Sequence, residues 1–531
     1  VEFDFIIVGA GSAGCVLANR LSADPKVSVA LVEAGGRDLS PWIHIPVGYF
    51  RTIKNPALNW MYRTEPDPGL NGRSINWPRG KTLGGSSSIN GLLYVRGQRQ
   101  DYDGWRDLGN AGWGWDEVLP FFRRSETWEG GADAFRGGEG PLSVTRSRQT
   151  WRIVDAWLDA AVAAGHHTNP DYNGAEQEGV GHFQLTARHG LRCSAARAYL
   201  APVRGRKNLR IFTHATTEKL LFSGRRAVGI AATRQGESFE LKARGEVILS
   251  AGAIGSPQLL MLSGIGDPAE LGRHGIEVLQ ASPGVGRNLQ DHLQARPVYR
   301  CSLPTINTRA RGLVNQMRIG LEYLLRQSGP LTMAASLGTA FLKTRPDLDR
   351  PDIQFHIQPF SADNPTRGTH EFDAFTASVL QLRPESCGHL ALRSASIHDH
   401  PAIHPNYLAT ELDRRTLVDG IRIARRICRQ DPVQGLITGE HAPGADIADG
   451  DDAALIDWAR NTATTIYHPT GTCRMGSDPL AVVDARLRVH SIEGLRVVDA
   501  SIMPRIVSGN TNAPAIMIGE KAADMIRGDA R

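Results

Sequence analysis

The first 33 residues constrain this chain more than any other stretch. A short apolar run, Phe3 to Val8, leads into Gly9-Ala10-Gly11-Ser12-Ala13-Gly14. Cys15 to Leu21 then reads as a helix, and a second apolar run, Val27 to Val32, ends at Glu33. Strand, GxGxxG turn, helix, strand and acid, in that order, predict a βαβ unit that holds a dinucleotide. Gly9 permits the tight turn, Gly11 lets the backbone approach a pyrophosphate, and Gly14 lets the helix pack on the sheet. The helix start offers N–H groups and a partial positive charge to the phosphates. Glu33, 19 residues beyond Gly14, is placed to accept hydrogen bonds from a ribose.

The rest of the chain agrees with a large enzyme. Its 531 residues allow three to four units of about 150 residues each. With 41% hydrophobic and 22% charged residues it is globular, and 57 Gly and 30 Pro imply many turns, as in a loop-rich α/β protein. There are 60 basic and 55 acidic residues and no Lys/Arg block, so no nucleic-acid partner is expected. Cys15, Cys193, Cys301, Cys387, Cys428 and Cys473 form no CxxC pair, which argues against a zinc site or a disulfide framework. Scattered thiols, and an N-terminus without the features of a signal peptide, predict a cytoplasmic protein. No run approaches the ~18 apolar residues that span a bilayer, so no transmembrane segment is expected. Peripheral association with the inner membrane is left open.

Alternation and turn signals divide the chain. Residues 1–37, 79–150, 203–290 and 479–531 are predicted to form one discontinuous nucleotide-binding domain. Residues 38–78, rich in Pro, Trp and Asn, read as a lid or cofactor-covering loop. Residues 151–202 and 291–478 read as a second domain of sheet and helices. Thr150 to Ala164, Thr416 to Cys428 and Ala453 to Asn461 are predicted helices. Leu209–Phe212, Lys219–Phe222, Ala227–Ile230, Phe239–Leu241, Glu246–Ser250 and Ile353–Ile357 are predicted strands. A β-α segment closes the chain, with Leu495 to Asp499 followed by a helix from about Pro514. The fold class is α/β, or α+β taken as a whole.

Longer motifs carry a resemblance. Gly80-Lys81-Thr82-Leu83-Gly84-Gly85-Ser86-Ser87-Ser88-Ile89-Asn90-Gly91 and Gly252-Ala253-Ile254-Gly255-Ser256-Pro257-Gln258, running on to Gly264-Ile265-Gly266, are similar to the two signature patterns of the glucose–methanol–choline (GMC) oxidoreductases. The likeness continues through Pro283 to His292, Tyr467 to Gly476, Val498 to Ser501 and Gly509 to Asn512, and so covers essentially the whole chain. Within the family the chain resembles the bacterial choline dehydrogenase-like and alcohol dehydrogenase branch. The resemblance implies the GMC architecture, a Rossmann-type FAD-binding domain beside a substrate-binding domain, and FAD as cofactor.

Carried over residue by residue, the resemblance gives the pyrophosphate to Gly9, Gly11, Ser12, Ala13 and Gly14. The adenosine side falls to Glu33, Ala34 and Thr217, and the flavin walls to Trp60 and the loop Gly84, Gly85, Ser87, Asn90, Gly91, Leu92 and Leu93. Asp499 and Ala500 would contact the ribityl chain and ring, and Ala513 and Pro514 would aim the last helix at the flavin. Some relatives join the flavin covalently to a histidine; Ile89 stands at that position, so non-covalent FAD is expected.

His468 occupies the position of the family's catalytic histidine, and Asn512 is matched to the second active-site position. A neutral imidazole can take a hydroxyl proton near working pH, while an amide can only orient an alkoxide. The expected reaction is oxidation of a primary alcohol to an aldehyde, with hydride passing to flavin N5. The electron acceptor would be O₂, a quinone or another carrier. An oxidase releasing H₂O₂ is the alternative, with a hydroxynitrile lyase-type enzyme holding structural FAD and a flavin protein without turnover behind it. An NAD enzyme comes last.

Ile45, Val47, Tyr49, Phe50, Phe355, Ile357, Phe360 and Ile466 are the candidate pocket walls. No carboxylate matched to a quaternary ammonium is evident, so an aliphatic or aromatic alcohol is expected over choline. His292 is read as structural, as are Cys473 and the basic helix end Arg425–Arg429. His398-Asp399-His400 is read as a solvated turn, and no metal is expected.

Overall fold

The computed structural model describes residues 1–363 and 368–529. Two sheets organise it. The first has seven strands, in the order Leu209–Phe212, Val29–Val32, Glu2–Val8, Glu237–Leu249, Arg226–Arg234 and Ala215–Ser223, with Leu495–Val497 also pairing to Glu237–Leu249. Pairing is parallel from Leu209–Phe212 through Val29–Val32 and Glu2–Val8 to the end of Glu237–Leu249, and on to Leu495–Val497. The central strand Val29–Val32 and the Phe5–Val8 half of its neighbour are buried on both faces, which is why they read as unbroken apolar runs.

Register sets up the site. Val8 lies opposite both Val32 and Leu249, Phe212 opposite Val32, and Val497 opposite Leu249. The parallel strands therefore end at one level, so Gly9, Glu33, Ser250 and Val498 emerge together at their carboxyl edge, where ligands of such sheets bind. Sequence reading split Phe239–Leu241 from Glu246–Ser250; they form one strand, Glu237–Leu249. Its first half pairs antiparallel with Arg226–Arg234 and its second half parallel with Glu2–Val8, with the register shift falling between Phe3 and Phe5.

The second sheet has eight strands and is antiparallel: Ile437–Ala442, Val298–Cys301, Ala374–Gln381, Ile353–Gln358, Gly338–Leu342 and Gly179–His182, with Leu293–Ala295 and Thr464–Thr465 attached. The helices Arg152–Ala163 and Glu411–Cys428 cover one face. Trp157 meets Phe355 there with ring centroids 5.4 Å apart, and Val379 packs beneath Gly420. Helix Glu411–Cys428 starts five residues before the expected Thr416, because the Thr410 hydroxyl accepts from the Asp413 N–H and caps it.

The C-terminal helix, Asn512–Asp529, is fastened to the first helix, Ser12–Leu21. Glu520, fully buried, accepts from the Arg20 guanidinium at 2.7 and 2.9 Å, from Arg124 Nε at 2.9 Å and from the Tyr199 hydroxyl at 2.9 Å. A buried carboxylate with this many donors is stable only while they remain. Replacing Glu520 by Gln is expected to cost about 2–4 kcal/mol and to lower the temperature at which flavin is released. A heat ramp following flavin fluorescence checks this; an unchanged release temperature would contradict it.

Candidate active site

A cavity of ≈ 300 Å³ runs from the carboxyl edge of the first sheet to the inner face of the second. At the nucleotide end, Gly9 adopts a φ of +99°, and a Cβ there would stand 2.4 Å from the Ser250 carbonyl oxygen. A Cβ on Gly14 would stand 1.9 Å from the Gly9 carbonyl oxygen, so the turn closes only with glycine at both positions. Gly11 caps the first helix without any side-chain hydrogen bond, which leaves the first-turn N–H groups for a ligand.

Glu33 is buried and receives the N–H groups of Ala10 at 3.0 Å and Gly35 at 2.8 Å. Burial pushes its carboxyl up to about 7, against the pull of those two hydrogen bonds. The Thr217 hydroxyl, buried on the same wall, has no partner within the protein. An uncapped helix start, a desolvated acceptor and an orphaned hydroxyl fit the dinucleotide half of FAD.

Of the residues named for the cofactor, Gly9, Gly11, Ser12, Ala13, Glu33, Ala34, Trp60, Gly85, Asn90, Gly91, Leu93, Thr217, Asp499 and Ala500 line this cavity, as does Ile89. Gly14, Gly84, Ser87, Leu92, Ala513 and Pro514 stand behind it as framework. The Gly84 N–H donates to Ala10, the Ser87 hydroxyl bridges Gly84 and Ala195, and Leu92 is fully buried in a small apolar cluster. Asp499 lines the wall, yet its oxygens already accept from the Gly252 N–H, the Ser256 hydroxyl and the Ser501 N–H. Its carboxylate shapes the site from within the protein.

His468 lies at the other end, buried, in a segment held by hydrogen bonds. Its N–H donates to Asp291 at 2.7 Å, and Asp291 also accepts from the hydroxyls of Tyr407 and Thr465. The preceding Tyr467 takes a φ of +72°, a strained value for a non-glycine, and Arg79 donates to its carbonyl at 2.7 Å.

The imidazole is part of a chain. His292 Nε2 lies 2.9 Å from the Leu382 carbonyl, His292 Nδ1 lies 2.9 Å from His468 Nδ1, and His468 Nε2 lies 3.0 Å from the Asn510 amide nitrogen. A carbonyl only accepts, so His292 Nε2 carries a proton. When His292 is neutral its Nδ1 accepts, and His468 Nδ1 must then be the donor. His468 Nε2 therefore presents a lone pair. Burial lowers all three imidazoles here: His292 to about 4, His356 to about 3, and His468 well below its ordinary value, helped by His292, His356 and Arg79.

Three readings from sequence change. Asn510, not Asn512, contacts the His468 ring; Asn512 Oδ1 instead accepts from the Ser12 hydroxyl at 2.8 Å and ties the two helix starts together. Both amides line the cavity, and a two-residue ambiguity in Asn510-Thr511-Asn512 hid which one faces the imidazole. His292, read as structural, hydrogen-bonds the candidate base directly. Of the proposed walls only Ile466 lines the cavity; Gln294, Ser336, His356 and Gln358 take the place of the others. The strand Ile353–Gln358 alternates, so Phe355 and Ile357 face the helices while His356 and Gln358 face the site. His398 and Asp399 lie outside the cavity lining.

Two models of the GMC oxidoreductase family match the chain, over residues 3–294 and 384–519. The chain is 44% identical to the alcohol dehydrogenase [acceptor] of Pseudomonas putida over 99% of its own length and 95% of that protein. It is also 44% identical to the mitochondrial choline dehydrogenase of Mus musculus, covering 99% and 90%. Among solved structures, pyridoxine 4-oxidase from Mesorbium loti superposes with a TM-score of 0.89 at 33% identity, covering 98% of each chain.

Ribose hydroxyls donating to Glu33 would favour its ionised form, so FAD binding would be linked to loss of the Glu33 proton. Binding to the apoprotein should weaken as pH falls through about 7, where Glu33 takes up that proton. Glu33→Gln should bind about tenfold more weakly and lose this pH dependence. A flavin-fluorescence titration between pH 6 and pH 8 checks it; pH-independent binding by the unaltered protein would contradict it.

Proposed function

Because the chain belongs to the GMC oxidoreductase family and is an FAD-dependent oxidoreductase acting on CH–OH groups, we propose that it oxidises an uncharged primary alcohol to the aldehyde with His468 as the base. One observation carries the reading: a buried, neutral imidazole turns its unprotonated Nε2 into the cavity beside an amide donor. Bound FAD supplies the hydride acceptor, its N5. FAD is held without a covalent link, since Ile89 offers no ring nitrogen.

In this reading the alcohol hydroxyl displaces the Asn510 amide from His468 and donates to Nε2, while the amide turns to hydrogen-bond the substrate oxygen. Asn510 Oδ1 is without a partner, so the side chain has freedom to do so. His292 keeps the His468 proton on Nδ1, which holds Nε2 as acceptor. Half-buried Arg79, which lines the cavity, makes the region favourable to negative charge and so favours a developing alkoxide. A weak base suffices, because a carbinol hydroxyl becomes strongly acidic as its carbon gives up hydride.

The same positive field opposes a quaternary ammonium. Arg79 and Arg296 are half-buried near Tyr467, Arg296 reaches Gln358 at 3.3 Å, and the walls near His468 are neutral amides, a hydroxyl and a second imidazole. The Trp60 face, where a cation could stack, already carries the Lys81 ammonium 4.6 Å from its centroid. The name of the Pseudomonas putida relative supports a dehydrogenase passing electrons to an acceptor.

Two outcomes test the reading. His468→Ala should lower kcat about 10²- to 10⁴-fold with FAD retained. The acid limb of kcat/KM should fall below pH 6.5, since burial lowers the His468 pKa; an inflection at or above that value would contradict the assignment. In an alcohol panel read by dye reduction and by peroxide, a neutral alcohol should exceed choline by at least about tenfold in kcat/KM, with dye as the better acceptor. Preference for choline would refute the electrostatic argument, and flavin left oxidised by every alcohol would refute the reaction.

A further inference from the structure

Thirteen large hydrophobic residues among those described are widely exposed, and six of them lie on one helix, Leu313–Arg326. Scattered exposed hydrophobics are ordinary, but six on one short element form a patch. Leu313, Val314, Met317, Leu321, Leu324 and Leu325 are between 57% and 79% exposed. At about 100° per residue they fall within an arc of about 120°. The opposite side meets the protein: Tyr323 is buried, its hydroxyl donating to the Gly190 carbonyl at 3.1 Å, and Ile319 is half-buried. The apolar stripe thus points straight outward.

Residues 309–326 contain four arginines, Arg309, Arg311, Arg318 and Arg326, against one acid, Glu322; Arg309 lies over the Trp151 ring and Arg311 pairs with Glu371, which leaves Arg318 and Arg326 on the helix itself. Arg318 borders the stripe, next to Leu325 around the helix. We propose that this helix docks the protein on an anionic phospholipid surface, its leucines entering the acyl boundary and Arg318, at the edge of the stripe, meeting the headgroups. A second copy of the chain fits less well. A stripe about 21 Å long and one helix wide falls far short of the ~800 Å² per partner of a stable interface. A two-fold contact would also bring the same arginines together. Downstream of the helix, Ala335 and Ser336 line the active-site cavity.

The FAD-loaded protein is to be sedimented with vesicles of equal phosphatidylglycerol and phosphatidylcholine, and with phosphatidylcholine alone. The proposal expects it to pellet with the anionic vesicles, less so at high salt. Leu321→Gln/Leu324→Gln should bind at least about tenfold more weakly and Arg318→Gln about fivefold more weakly, with the flavin spectrum unchanged to show an intact fold. Failure to pellet with anionic vesicles overturns it, as does equal binding by both variants. Equal affinity for pure phosphatidylcholine overturns it as well. A dimer in analytical ultracentrifugation that only the leucine variant dissociates, without vesicle binding, would assign the stripe to a second copy instead.

Discussion

The hydrogen bond between His292 and His468 is the interaction on which the proposed chemistry rests. Two buried imidazoles share one proton between their Nδ1 atoms, and a backbone carbonyl at Leu382 decides which ring holds it. That choice leaves His468 Nε2 unprotonated and facing the cavity. The cost is two rings kept from charging, visible in pKa values pushed below the ordinary imidazole range by burial. Asp291, engaged by Tyr407, Thr465 and the His468 N–H, holds the backbone and leaves the ring to the histidine pair.

The fold brings this pair to the cofactor by register and by helix starts. Parallel strands end level, and two helices begin at that edge, Ser12–Leu21 and Asn512–Asp529, joined at their tips by the Ser12–Asn512 hydrogen bond and along their length by Glu520. Helix starts favour negative charge, on the phosphates at one and beside the active site at the other. The second sheet closes the cavity with a polar face of Gln294, His356 and Gln358 while its apolar face packs on helices. Strand alternation thus separates specificity from stability within a single element.

Much of this was legible in the residues. The βαβ unit follows from glycine sterics that leave little choice, and the clash distances at Gly9 and Gly14 show why. That His468 lines the cavity was legible through its motif. The partners of His468 were not, because Nδ1 pairing joins positions 176 residues apart and leaves no local spacing to read. Asn510 was missed for a different reason: either amide in Asn510-Thr511-Asn512 could cap the last helix or face the ring, and only the path of the backbone decides. Apolarity is a poor sign of the substrate surface here, because Phe355 and Ile357 serve the core.

The central claim is a protonation state, so the most direct measurement observes it. Ring-¹⁵N histidine in the FAD-loaded protein, with a His468→Gln spectrum for assignment, reports the tautomer of His468 as pH is varied. The account predicts a neutral ring with its proton on Nδ1 at pH 7 and still at pH 6. A ring protonated on Nε2, or one that charges near pH 6.5, would contradict it.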